Sequence, residues 1–132
     1  MIYIGKFLYT VRQEKKKEAD RRHGEFQLLV EAPSREAALE KFGASIREAR
    51  EQTDFFEGEC RVYLVHLLEM RDLPRQRARM FDFQSIAGDP AMPLIHCHAP
   101  SEESDGCRIL DWNRNRPDID GRTTAPFLAF EA

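Results

Sequence analysis

The sequence predicts an α+β fold, in which an N-terminal β-β-α-β unit lays one amphipathic helix on a sheet and a β-hairpin-rich, loop-rich half follows. Residues 2–11, 25–32 and 60–70 alternate with period two and are rich in β-branched and aromatic side chains. Between the second and third of these, residues 34–51 repeat their apolar positions at spacings of three and four. Beyond Met70 neither period persists over a comparable length.

The first strand, residues 2–11, sets Ile2, Ile4 and Leu8 on one face and Tyr3, Phe7, Tyr9 and Val11 on the other. Residues 12–23 hold six basic and three acidic side chains with only Ala19 apolar, which predicts a solvated connection ending at Gly24. The second strand alternates Phe26, Leu28 and Val30 with Gln27, Leu29 and Glu31, and Pro33 stops it. Ser34 is placed to cap the helix, since its hydroxyl can accept from the free N–H groups of the first turn. Leu39, Phe42, Ile46 and Ala49 form the expected apolar stripe, and Gly43 beside it is expected to let the helix approach the strands.

The third strand, residues 60–70, is the most apolar in the chain. Simple alternation puts Val62, Leu64, Leu68 and Met70 on one face and Tyr63, Val65 and Leu67 on the other, which predicts a central position in the sheet. His66 shares the first of these faces and is expected to be a hydrogen-bonded core histidine. If the second and third strands lie parallel, the helix between them is a crossover connection covering one face only. The opposite face then needs cover from the C-terminal half or from a second copy of the chain. The topology resembles small antitoxin-type and regulatory α+β domains, but residues 24–50 carry no glycine-rich signature that would imply a family.

In the second half, residues 80–86 read as a short strand, residues 94–98 and 107–112 as a hairpin around an acidic turn, and residues 127–130 as a terminal strand or core cap. At 132 residues and 42% hydrophobic content, residues 1–132 are expected to form a single domain, with 1–70 as the β-β-α-β unit and 71–132 as an irregular β extension. Twenty basic and 23 acidic residues give a net charge of -3, too balanced for a global field that would gather nucleic acid or an anionic membrane. No apolar run reaches the roughly 18 residues of a membrane span, and residues 1–11 lack the features of a signal peptide. Cys60, Cys97 and Cys107 are expected as free thiols, which points to a cytoplasmic location.

Three groups of residues could carry chemistry. His96 and His98 share a strand face about 6.6 Å apart, so both could reach one metal ion. Cys107 or Glu102 could supply a third ligand across the hairpin, in a site for zinc or another divalent cation with an open position. His96, His98 and Glu102 resemble part of the first metal motif of cupins. Gly88 and Gly106 depart from that motif's glycine spacing and no downstream histidine completes its ligand set, so no cupin activity is carried over. Cys97 lies between the two histidines but points to the other face, so neither flanking imidazole is placed to take its thiol proton.

Lys15, Lys16, Lys17, Arg21 and Arg22 form the basic set that a nucleic-acid-associated regulator would use. A second basic connection, residues 71–79, should lie at the other end of the sheet, so the two would not merge into one phosphate-tracking surface. With no complete catalytic set, the leading expectation is a binding or protein-interaction module that forms a homodimer. A metal-dependent enzyme at His96 and His98 is the second expectation, and a nucleic-acid-associated regulator the third.

Overall fold

The computed structural model describes residues 1–88 and 126–131. The chain divides into two compact units, Met1–Phe83 and Gln84–Ala132. The first contains strand β1 (Ile2–Val11), a 3₁₀ turn at Glu18–Asp20, strand β2 (Arg22–Glu31), helix α1 (Arg35–Gln52) and strand β3 (Cys60–Met70). This is the α+β, β-β-α-β arrangement that the periodicities predict. In the second unit, residues 84–88 and 126–131 contain neither helix nor strand. Residues 80–86, expected as a short strand, and residues 127–130, expected as a terminal strand or core cap, contain no strand.

The sheet order is β2-β1-β3, with β1 antiparallel to both neighbours. β2 and β3 are thus parallel to each other across β1, and α1 is the connection that passes between them. The expectation that β3 is central is corrected: β1 has partners on both edges, and β3 is an edge strand. Apolar residues on both faces report how a strand's faces are covered, whereas its edges pair through backbone groups that carry no side-chain signature.

Alternation along β3 breaks at Val65. Lys6 pairs with His66 while the next residue, Phe7, pairs with Leu64, so Val65 is the extra residue of a β-bulge. Cross-strand partners share a face, so the bulge splits the set expected on one side. Val62 and Leu64 lie with Leu67 on the face of Phe7, and His66, Leu68 and Met70 lie with Tyr63 on the face of Lys6. His66 is exposed, not a core histidine.

Helix α1 starts where Ser34 predicts: the Ser34 hydroxyl accepts from the Ala37 N–H at 3.1 Å. Its buried face is rotated by one position from the expected stripe. Ala38, fully buried, takes the place of Leu39, which is 42% exposed, and Phe42 and Ile46 continue the face. A methyl side chain at the closest point lets the helix axis approach the sheet, and the larger Leu39 is left at the flank. The core joins Tyr3, Phe7, Ala32, Ala38 and Phe42, with Phe26, Leu28, Val30 and Val62 packed around them.

Aromatic rings organise that core. Phe7 stacks on its cross-strand partner Phe26 at 5.0 Å and meets Phe42 edge-on at 5.7 Å. Phe56, in the connection from α1 to β3, closes the cluster against Phe26 and Tyr9, and the Arg50 guanidinium donates to its carbonyl at 2.8 Å. The glycine that permits close packing is Gly5, not Gly43. A Cβ at Gly5 would stand 2.7 Å from the Phe7 ring and 3.0 Å from the Phe42 ring, whereas one at Gly43 would meet only the Arg47 guanidinium at 3.5 Å.

Candidate functional site

Side chains of β1, β2 and β3 that point away from α1 form the second face of the sheet. The register places Ile2, Ile4, Lys6 and Leu8 there, beside Leu29, Gln27 and Glu25 on β2 and Met70, Leu68, His66 and Tyr63 on β3. This face is mixed in character: an apolar strip runs along β1 and β3, and a polar border follows β2. Uniform apolar content in β1 is interrupted by Lys6, placed in the middle of the central strand.

Lys6 is buried, at 7% exposure. Its ammonium reaches the Asp82 carboxylate at 3.1 Å and the Glu25 carboxylate at 3.8 Å. A lysine in this position needs anionic partners, because removing an unpaired ammonium from water costs several kcal/mol. Glu25 comes from the adjacent strand, but the closer partner comes from the segment that follows β3. After leaving the sheet at Met70, that segment returns over the second face, where Phe81 and Asp82 close a cavity with Ile4, Lys6, Gln27, His66 and Leu68. The cavity measures about 30 Å³, room for a water molecule. Nearer β3's exit the segment stands off the sheet and leaves an open hollow of about 490 Å³, lined by Met70, Arg71, Asp72, Arg79 and Met80 among others.

The other exposed feature is the free side of β3. Helix α1 packs on β2 and β1, so the outer part of the sheet lies beyond its cover. Tyr63, Leu64 and Val65 are 48%, 43% and 45% exposed, although Leu64 faces the same side as the core residue Phe7. Eleven residues of β3 present an edge with no strand partner among the described residues. At the first end of β3, Cys60 is half-buried, and burial raises its thiol pKa above the ordinary value, with Glu59 adding to the rise and Arg50 opposing it. A protonated thiol is a poor nucleophile, in keeping with a packing role.

The basic set lies at one end of the sheet, on the connection between β1 and β2. Lys15, Lys16 and Lys17 are exposed, and Arg22 opens β2 opposite Val11. Arg21 is engaged within the loop, donating to the carbonyls of Lys15 at 2.8 Å and Lys16 at 3.3 Å. The loop is also tied to β3's entry, where the Arg12 and Gln13 N–H groups donate to the Glu59 carbonyl and carboxylate. Val11 pairs with Cys60 and Ile2 with Met70, so residues 12–21 and the basic segment after Met70 lie at opposite ends of the sheet. Ten residues of β1 separate them by roughly 30 Å at about 3.3 Å per residue.

The proposed metal ligands His96, His98, Glu102 and Cys107 lie outside the described residues, as does Cys97. Among the described residues, no three His, Cys, Asp or Glu side chains stand close enough to share a metal ion. Among them also, no helix is long and apolar enough to cross a membrane. The Lys6–Asp82 contact was not legible beforehand, since 76 residues separate the pair. A lysine at an inward-pointing position of a strand was its one signal. Compared with family models, with curated proteins and with solved structures, the chain matches none.

Proposed function

We propose that this chain is a protein-interaction module without catalysis, which assembles as a homodimer by pairing β3 with β3 of a second copy. The observation that carries this reading is the exposed apolar edge of β3, where Tyr63, Leu64 and Val65 are each more than two-fifths exposed. Unpaired backbone donors and acceptors along an apolar edge template the addition of another strand. A second copy is the simplest partner, because a two-fold axis beside β3 lets one edge serve both chains.

Charge at the ends of β3 suits an antiparallel partner of the same sequence. Glu59 and Arg61 stand at its first end and Glu69 and Arg71 at its last. Antiparallel apposition brings the two ends side by side, so each carboxylate has an arginine across the junction. Pairing would join two three-stranded sheets into one of six strands and cover the apolar side chains that α1 leaves open.

Light scattering coupled to size-exclusion chromatography tests this directly. The wild-type chain should elute with the mass of a dimer at micromolar concentration, and Val65→Lys should shift it to a monomer by placing a charge at the centre of the edge. A wild-type monomer across that range would overturn the reading. Backbone amide exchange on the same samples should show β3 losing protection in the variant while β1 keeps its own.

A further inference from the structure

The second face of the sheet has an occupant, and its chemistry identifies what the face accepts. We infer that this face is a binding site for an extended segment of a partner protein in which an aromatic side chain adjoins a carboxylate, and that Phe81 and Asp82 hold the place of that segment in the free chain. The inference concerns a surface distinct from the β3 edge and does not depend on how copies of the chain pair.

Three features of the face support it. Lys6 is buried in the middle of the central strand, and its closest anion, Asp82 at 3.1 Å, is delivered by a segment outside the sheet. The neighbouring Glu25 is farther away, at 3.8 Å, and its side chain is half exposed. The face thus contains a cationic point flanked across the sheet by Gln27 and His66, with Ile2, Ile4, Leu8 and Leu68 farther along it, a pattern that selects a carboxylate carried beside an apolar side chain.

The present occupant also fills the site incompletely. Phe81 lines the cavity beside Lys6 but remains 54% exposed, and Met80 and Phe83 are 77% and 76% exposed. Between β3 and this contact the chain stands away from the sheet over the 490 Å³ hollow. Binding by so few contacts is sustained because the segment is tethered, which gives it an effective concentration on the order of millimolar. A partner segment that offers the same carboxylate and buries its aromatic side chains more fully can displace it.

The chain's own segment supplies the probe. A fluorescein-labelled peptide of residues 78–85 is titrated into the full chain and into its Asp82→Asn variant, with fluorescence anisotropy as the readout. Asp82→Asn loosens the tethered competitor and leaves the face intact, so the peptide should bind the variant about tenfold more tightly than the wild type. The same peptide with asparagine in place of its aspartate should lose most of this binding on the unchanged variant chain, a comparison that needs no mutation of Lys6. Equal affinity for both chains, indifference to the peptide's carboxylate, or no saturation at millimolar peptide would each overturn the inference. So would self-association that is abolished by Asp82→Asn but retained by Val65→Lys, since that would assign the segment to exchange between copies. Peptide binding that persists in a monomeric Val65→Lys, Asp82→Asn chain would support it independently of the dimer.

Discussion

Gly5 and Gly43 each sit beside apolar positions of a regular element, but the space around them differs. The Phe7 and Phe42 rings press on the backbone at Gly5, while Gly43 faces only the flexible end of Arg47. Gly5→Ala should therefore destabilise the fold by about 1–3 kcal/mol through overpacking. Gly43→Ala should stabilise it by up to about 1 kcal/mol by relieving the entropic cost of a helical glycine. Urea denaturation of the two variants should give midpoints on opposite sides of the wild type. Tyr3 adds a dependence on pH: burial first, then the nearby Glu69 carboxylate, raises its phenol above the ordinary value of 10.0. Below that value the folded and unfolded chains both hold the proton. Above it the unfolded chain releases a proton that the folded chain retains, so stability should fall as pH rises beyond about 10. Tyr3→Phe should flatten this part of the stability profile, which denaturant melts at a series of alkaline pH values can follow.

At the scale of an element, the bulge in β3 decides which side chains reach the core. Val65 is the unmatched residue between the Phe7–Leu64 and Lys6–His66 pairs. Deleting Val65 joins two residues that already lie on opposite faces, so it should restore a regular ladder without turning any other side chain over. The deletion should fold, with the circular dichroism of the wild type and a cooperative thermal transition. Deleting Val62 instead shifts the short stretch before it by one residue, turning Cys60 and Arg61 to the other face, and should lower the midpoint more. The apolar repeat of α1 was legible to within one helical position, because Phe42 and Ile46 anchor it. Choosing between Ala38 and Leu39 required knowing how near the sheet lies, which depends on side chains from two other elements.

For the whole molecule, the exposed edge of β3 and the segment returning to Lys6 imply different responses to concentration. A dimer formed through β3 is stabilised by mass action, so the thermal midpoint should rise with protein concentration in the wild type and not in Val65→Lys. The tethered contact between Asp82 and Lys6 is intramolecular and should respond to salt and to Asp82→Asn at any concentration. Calorimetry at several concentrations and ionic strengths separates the two. The basic connection between β1 and β2 lies at the opposite end of the sheet from the exit of β3 at Met70, because β3 runs parallel to β2.

Element identity was written in the order of the residues. Period two at residues 2–11 and 60–70, the three-and-four spacing after Ser34, and the stop at Pro33 each depend on neighbours within a few positions, so local chemistry determined them. β1 and β3 accordingly occupy the bounds their periodicity predicts. The order of the strands, the break in alternation at Val65, the close approach at Gly5 and the pairing of Lys6 with Asp82 were decided only by tertiary structure. Each depends on backbone edges or side chains distant in the chain, whose meeting is set by packing the whole unit. The helix-and-sheet character of the first seventy residues is thus a property of sequence. The edge of β3, without a strand partner among the described residues, and the occupied face around Lys6 are properties of the fold.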